Sequence, residues 1–215
     1  MPDLALSRGQ NTALSGPRPL TVEVRSRIRV DVLAFVLRDN EKVSGDADFV
    51  FYNQPVHPSG AVTLDDQGIV VVDPSRLPED ASRVHIGVVA EHRTLGDAGI
   101  EVVLSQDGRT VTAPGEGLSI ETSAVLIEVY RRGDDWKVRN TSAGWEGGFA
   151  DLVRSHGVQV DDEPVPGESG AAGPRVAPGE EKLSLTKRAT LDLRKKQVHK
   201  VLLEKKIQPG VRVLR

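Results

Sequence analysis

The stretch LTVEVRSRIRVDVLAFVL, residues Leu20 to Leu37, alternates between two sets of side chains with a period of two. Alternate side chains of an extended chain point to opposite faces, so this stretch predicts a β-strand. One face of it is polar as far as Asp31 and apolar from Leu33 onward. We therefore predict a strand that is half-exposed at its start and buried on both faces at its end.

Short apolar segments of the same kind recur along the chain, with turn residues between them. A turn at residues 132–135, RGDD, is expected to close a hairpin between two of these segments. Many short strands separated by turns predict a mostly all-β fold, a two-sheet β-sandwich. The further predicted strands are Phe49–Tyr52, Ile69–Val72, Val84–Val89, Ile100–Leu104, Val125–Tyr130 and Trp136–Arg139.

One short helix is predicted near the end of the sandwich. Phe149, Leu152, Val153 and His156 follow the i, i+3, i+4, i+7 spacing of an amphipathic helix. Gly157 can end that helix because glycine tolerates the left-handed conformation. We expect the helix to close one end of the sandwich.

Composition divides the 215-residue chain into three parts. Residues 1–160 are predicted to form the sandwich domain. Residues 161–181 are rich in proline, glycine and acidic side chains, which predicts a flexible linker because such a segment buries little apolar surface. Residues 182–215 are predicted to be a basic, strand-forming tail, too small to form a core alone.

Charge is distributed unevenly along the chain. Residues 182–215 hold eleven Lys/Arg and two Asp/Glu, a net charge of +9. The first 181 residues hold 17 basic and 29 acidic side chains, a net charge of −12. The tail has no aromatic residue for stacking on nucleic-acid bases, so we expect it to contact acidic protein surfaces, including those of this protein, rather than nucleic acid.

Several kinds of chemistry lack the residues that they need. The chain has no cysteine, which excludes disulfides, thiol nucleophiles and thiolate metal sites. The five histidines show no zinc-ligand spacing, and no GxSxG or P-loop motif is present. No apolar run of about 20 residues or secretion signal occurs. We therefore predict a cytoplasmic protein that does not span a membrane and is not an enzyme.

Oxygen-bearing side chains form the most suggestive candidate site. A hard cation such as Ca²⁺ takes about six to eight oxygen ligands, and carboxylates two residues apart on an extended chain point to one side. The same residue types are also common turn formers, so a structural role stays open. The candidate metal ligands are Asp31, Asp46, Asp48, Asn53, Asp65 and Asp66.

The run GDADFVFYNQP, residues 45–55, resembles the DxDFVFYNxP signature of the tellurium-resistance TerD family of bacterial stress proteins. Stretches within residues 30–37, 121–139 and 144–158 agree with the same family in the same order. The resemblance covers about residues 20–160. It implies a two-sheet β-sandwich, a cytoplasmic setting, a role in resistance to tellurite or other stress, and Ca²⁺ binding at acidic loops.

The chain departs from the family pattern where the family binds calcium. The DLDxSAFLL strand of typical members places its first Asp at Arg29 and its Ser at Leu33. The long Gly/Asp-rich loop of the family is reduced here to residues 63–68. These departures predict that Ca²⁺ binding is weak or lost. The tail resembles the segment that leads into a von Willebrand A-like domain in longer relatives.

Two hypotheses of different classes follow. The preferred one is a TerD-like binding or scaffold protein of the stress response, which acts through contacts with other stress-response proteins. The alternative is a calcium-binding sensor or buffer module that uses the remaining acidic loops. An enzyme acting on tellurium oxyanions ranks below both, because no catalytic constellation is visible.

Overall fold

The computed structural model describes residues 4–159 of the chain. The predicted linker and the predicted tail lie outside the described residues. The helix in the described part is not long and apolar enough to cross a membrane. The elements are β1 (Leu4–Ala5), β2 (Asn11–Ala13), β3 (Leu20–Arg25), β4 (Asp31–Leu37), β5 (Phe49–Val50), β6 (Val62–Leu64), β7 (Val70–Val72), β8 (Arg83–Val89), β9 (Glu101–Gln106), β10 (Arg109–Pro114), β11 (Ser123–Arg132), β12 (Asp135–Trp145) and α1 (Gly148–Ser155).

The strands form two six-stranded sheets, which confirms the predicted sandwich. Sheet A has the order β1-β10-β9-β3-β7-β6, and sheet B has the order β2-β12-β11-β8-β4-β5. Apolar side chains from both sheets form one core, in which Val22 and Leu104 of sheet A and Ile86 of sheet B are at most 1% exposed. Burying each such side chain contributes roughly 1.5–3 kcal/mol before the loss of conformational entropy is counted.

The predicted single strand over residues 20–37 is wrong, because this stretch forms two strands in different sheets. It leaves sheet A at the end of β3 and enters sheet B at the start of β4. Between them, Ser26 Oγ accepts a hydrogen bond from the Ile28 amide (3.2 Å), and the Arg27 amide donates to Ala98 O (2.7 Å). Both halves keep a period of two, so the alternation alone does not reveal this crossing.

Each open side of the sandwich is crossed by a segment that belongs to both sheets. At one side, β1 pairs with β10 in sheet A, and β2 then pairs with β12 in sheet B. At the other side, β5 pairs with β4 in sheet B, after which Val56 bridges to Thr63 of β6 in sheet A. The chain itself therefore closes the gap between the sheets at both sides.

Asn140 forms hydrogen bonds that hold the N-terminal crossing segment, residues 4–13, in place. Its side chain is buried, and its Nδ2 donates to Leu6 O (2.8 Å) and to Pro114 O (2.9 Å). Ser142 Oγ donates to Asn140 Oδ1 at 2.8 Å. One side chain of sheet B thus bonds both the N-terminal segment and strand β10 of sheet A.

Helix α1 lies where the sequence predicts it, and Gly157 follows it with φ of +85°. It does not close an end of the sandwich as expected, but packs on the outer face of sheet B. The His156 ring that follows it stacks on Phe35 of β4, with centroids 4.1 Å apart, while Leu152 and Val153 are fully buried. The reason is that β4 is apolar on its outer face as well, so that face requires a cover.

Candidate functional site

The six predicted metal ligands lie in four separate places. Asp31 is the first residue of β4, and the pair of Asp46 and Asp48 lies in a single 3-10 turn that leads into β5. Asn53 lies in the turn after β5, whereas Asp65 and Asp66 lie in the turn between β6 and β7. Only Asp46 with Asp48, and Asp65 with Asp66, share a turn.

Asp48 is buried and its carboxylate is already bonded within the protein. Its Oδ1 lies 3.1 Å from His57 Nε2, and its Oδ2 lies 3.1 Å from Arg38 Nη1. The amide of Ser44 donates to the same Oδ2 at 2.7 Å. A guanidinium and an imidazole therefore occupy the places from which a cation would approach this carboxylate.

Asp65 and Asp31 are also poor candidates for a shared metal site. The Asp65 carboxylate is already hydrogen-bonded within its own turn, and Asp31 lies apart from the other candidates. Asp65 Oδ1 accepts the amides of Gln67 (2.9 Å) and Ile69 (2.8 Å), which is the pattern of a turn former. Burial and the nearby Glu91 raise the pKa of Asp31, although Arg29 acts in the opposite direction. The raised pKa of Asp31 therefore reflects mainly the partial removal of its carboxylate from water.

Strand geometry places Asp31 far from Asp48. Phe49 pairs with Phe35, four residues along β4 from Asp31, which is about 13 Å at ~3.3 Å per residue. Asp48 precedes Phe49 and lies still further from Asp31. Among residues 4–159 no three His, Asp or Glu side chains form a group able to hold a metal ion. The described residues do not fit a calcium shell of six to eight oxygens, and Ca²⁺ binding stays a prediction of the family resemblance.

A serine completes a hydrogen-bonded chain with His57 and Asp48. Ser59 Oγ lies 2.8 Å from His57 Nδ1, on the opposite side of the ring from Asp48. Both the Ser59 amide and the Ala61 amide are bonded within the same turn, to His57 Nδ1 and to Ser59 Oγ respectively (each 3.2 Å). The chain of bonds is thus the framework of the tight turn that starts at His57 and connects to β6.

A second buried polar cluster lies on the outer face of sheet B around Glu128, which is 1% exposed. Its Oε1 lies 3.2 Å from Arg83 Nη1 and 3.6 Å from His85 Nε2, while its Oε2 pairs with Arg139 Nη2. Burial raises the pKa of Glu128, but the hydrogen bond from His85 and the charges of Arg139 and His85 outweigh burial and hold this pKa below its usual value.

His156 connects this cluster to helix α1. His85 Nδ1 lies 2.9 Å from His156 Nε2, and His156 Nδ1 lies 2.8 Å from Leu152 O. Because a carbonyl only accepts, the proton of His156 belongs on Nδ1, and His156 Nε2 accepts from His85. Burial lowers the pKa of His156 to about 4, helped by His85 and Lys42 and opposed by the bond to Leu152 O. His156 is therefore neutral at neutral pH.

Glu128 is a signal for this second cluster that the sequence already contains, although no motif includes it. Glu128 interrupts the apolar run AVLIEVY at residues 124–130, and a charged residue inside a strand that is otherwise apolar on both faces requires a partner. The partners themselves were not predictable, because His85 and Arg139 become neighbours of Glu128 only through the pairing of β11 with β8 and β12.

Comparison with known proteins identifies the family. The TerD domain model matches residues 3–156, well over half of the chain. This chain belongs to the TerD family. The DFVFYN stretch on which the resemblance rested supplies β5 and, with Phe35 and His156, a row of stacked rings in which Phe35, Phe49 and Phe51 follow one another at 4.9 and 4.7 Å.

Several relatives align with this chain over most of their own length. A chemical-damaging agent resistance protein B from Clostridium acetobutylicum is 33% identical over 55% of this chain and 99% of its own. The uncharacterized protein YceE from Bacillus subtilis is 34% identical over 61% of this chain and 79% of its own. The tellurium resistance protein TerD from Serratia marcescens is 27% identical over 73% of this chain and 98% of its own.

Two solved structures share the fold. A homologue of the telluride resistance protein TerD from Streptomyces coelicolor A3(2) superposes with a TM-score of 0.53 at 18% identity, over 64% of this chain and 96% of its own. The protein of unknown function SAV2460 superposes with a TM-score of 0.56 at 18% identity, over 67% of this chain and 99% of its own. At this identity, the likeness establishes the sandwich architecture alone.

Proposed function

We propose that this chain is a cytoplasmic binding or scaffold protein in resistance to tellurite or other chemical stress, and that it is not an enzyme. The TerD match over residues 3–156 carries the proposal. Relatives that align over nearly their whole length are named for resistance to tellurium or to chemical-damaging agents. The role in resistance is thus supported at the level of the family.

Protein contacts are proposed as the means of action because of the charge division. The first 181 residues carry −12 and residues 182–215 carry +9. Opposite charges accelerate and orient association more than they add affinity, so a basic segment next to an acidic domain suits reversible contacts with acidic surfaces of other proteins. The tail itself lies outside the described residues.

Survival of cells under tellurite tests the role in resistance. A strain that lacks the gene should lose viability at tellurite concentrations that the parent strain tolerates, and expression of the full chain should restore it. Unchanged survival of the deletion strain under tellurite and under chemical-damaging agents would contradict the role.

Crosslinking in stressed cells tests the contacts. The full chain and a Lys195→Gln, Lys196→Gln variant are compared, and loss of crosslinked partners in the variant is expected. A matched variant, Arg93→Gln with Arg109→Gln, removes the same charge from two exposed arginines of the sandwich and should keep the partners. Identical crosslinking in all three proteins would exclude the tail as the contact.

A further inference from the structure

The outer face of sheet B carries a half-exposed strip of cationic and hydroxyl side chains on β11 and β12. Trp136, Val138 and Asn140 of β12 are buried, so the alternation of the strand places the residues between them on the outer face. Lys137 pairs with Tyr130, and Arg139 pairs with Glu128. We call the half-exposed residues Tyr130, Lys137, Arg139 and Thr141 the outer strip.

Positive charge exceeds negative charge at the outer strip. The guanidinium groups of Arg139 and Arg83 share the carboxylate of Glu128, and Arg83 also pairs with Glu41. Lys137 makes no ion pair within the part of the chain that the structure describes. Three permanent cations therefore face two carboxylates, one of which is almost fully buried at the base of the strip.

Donor groups at the strip also exceed the acceptors available to them. Three donors, Arg139 Nε, Arg83 Nε and Thr141 Oγ1, are shielded from water and have no hydrogen-bond partner among the described residues. One acceptor, Glu128 Oε2, is in the same state, although it forms an ion pair with Arg139 Nη2. A buried donor without a partner costs about 1–3 kcal/mol, and the three donors outnumber the one unpartnered acceptor, so their lack of partners requires an explanation.

Tyr130 and Glu128 hold Arg139 in a fixed orientation. The Arg139 guanidinium carbon lies 5.5 Å from the centre of the Tyr130 ring, while one of its terminal nitrogens pairs with Glu128. The side chain nevertheless remains 42% exposed. A guanidinium fixed on one edge and open on the other is suited to bidentate recognition of an oxyanion.

We propose that the outer strip binds a small, multiply charged oxyanion of the phosphate or tellurite class. The anion lies over the exposed edge of Arg139, with the Lys137 ammonium as a second cation and the Thr141 hydroxyl as a donor. Small shifts of the Arg139 and Thr141 side chains bring the shielded Nε–H and hydroxyl to the anion, which supplies an acceptor to each of them. Glu128 positions Arg139 and does not touch the ligand. This site does not depend on the proposed role in resistance.

Calorimetric titration of the full chain tests the site. Sodium phosphate and sodium tellurite are each titrated at constant ionic strength, with sodium chloride as the reference anion. Saturable heat with phosphate, with tellurite or with both supports the site. Binding of tellurite but not phosphate would indicate that the site serves resistance to tellurite. Binding of phosphate but not tellurite would indicate that the site has a function separate from resistance. Heat no greater than that of chloride for both anions overturns the proposal.

Matched variants locate the binding. Lys137→Gln removes a cation that has no ion pair to lose, so it should leave the fold intact and weaken binding about tenfold, the value of one charged hydrogen bond. Arg139→Lys keeps the positive charge but removes the planar guanidinium that donates two parallel hydrogen bonds, so it should weaken binding as well. Arg109→Gln removes an exposed charge from sheet A and should leave binding unchanged. Equal weakening by Lys137→Gln and Arg109→Gln would mean diffuse attraction, which also overturns the site.

Discussion

Glu128 shows at the scale of single residues how a buried charge depends on its neighbours. Its carboxylate is held by Arg83, Arg139 and His85. Glu128→Gln keeps the size of the side chain but leaves those cations without their shared anion, so the free energy of unfolding in urea should fall by about 2 kcal/mol.

A half-exposed glutamate provides the control for this substitution. Glu23 forms an ion pair with Arg25 on the outer face of sheet A, where the two side chains are 42% and 55% exposed. Glu23→Gln should change the free energy of unfolding far less, because exposed ion pairs contribute little. Equal losses for the two variants would show that the Glu128 cluster is not a stabilising network.

The pKa of His156 makes stability depend on pH. An unfolded histidine takes up its proton near pH 6.5, whereas folded His156 does so only at about 4. Between these values the unfolded chain binds more protons, so this contribution is complete above pH 6.5 and is lost as pH falls towards 4. The full difference corresponds to roughly 3 kcal/mol.

A variant that does not titrate isolates this effect. His156→Phe keeps a ring against Phe35 and removes the proton uptake. Urea unfolding of both proteins is measured between pH 6.5 and about pH 5, where a glutamate such as Glu128 is still mostly ionised in either state. The wild-type chain should lose more stability than the variant over this range, and parallel pH profiles would contradict the assignment.

Sequence reasoning found polar residues but not their partners. Asp48 was a candidate because it enters a strand next to another aspartate, and its burial against Arg38 and His57 follows from a loop geometry that spacing does not encode. Glu128 was not among the candidates although it is a charge in an apolar run, and its role emerges only when three strands align. Residue type was predictable, whereas the pairing of residue with residue required the fold.

At the scale of elements, the Asn140 side chain should stabilise the docking of the N-terminal crossing segment on the two sheets. Asn140→Ala leaves Leu6 O and Pro114 O without their donor, which should lower the free energy of unfolding by about 2 kcal/mol. Amide hydrogen exchange should become faster in residues 4–13, since their attachment to β12 is weakened.

The neighbouring segment offers a matched control for Asn140. Asn11 of β2 is exposed and lies in the same crossing segment. Asn11→Ala should therefore leave both the free energy of unfolding and the exchange rates close to those of the wild-type chain. Unchanged exchange in Asn140→Ala would show that the segment is held by its backbone pairing alone.

Elements with many apolar residues were predictable, and short polar ones were not. Strand β8, the hairpin turn at 132–135 and helix α1 lie where the sequence predicts them. Strands β11 and β12 contain the predicted segments 125–130 and 136–139 but extend beyond them, β12 as far as Trp145. β1, β2, β6 and β10 were missed because they are short or rich in threonine and arginine, and become strands by pairing with longer neighbours. The crossing between β3 and β4 was missed because periodicity does not report a change of sheet.

At the scale of the whole molecule, addition of Ca²⁺ is expected to leave the melting temperature unchanged. Asp48 and Asp65 use their carboxylates within the protein, and Asp31 lies at the other end of β4. A ligand that binds the native state raises the melting temperature through mass action, so calorimetry and thermal melting of EGTA-treated protein measure this directly. Binding at micromolar Ca²⁺ that Asp31→Ala removes would contradict the expectation and favour a calcium sensor.

The N-terminal segment pairs with both sheets, and this pairing determines when the segment can dock in a chain that folds during its synthesis. Residues 4–13 emerge from the ribosome early, but their pairing partners are residues 109–114 and 135–145. At ~5–20 residues per second, the segment waits roughly 5 to 25 seconds for those partners. The first strands made are therefore among the last to dock, and until then the edges that they cover on β10 and β12 stay open to other chains.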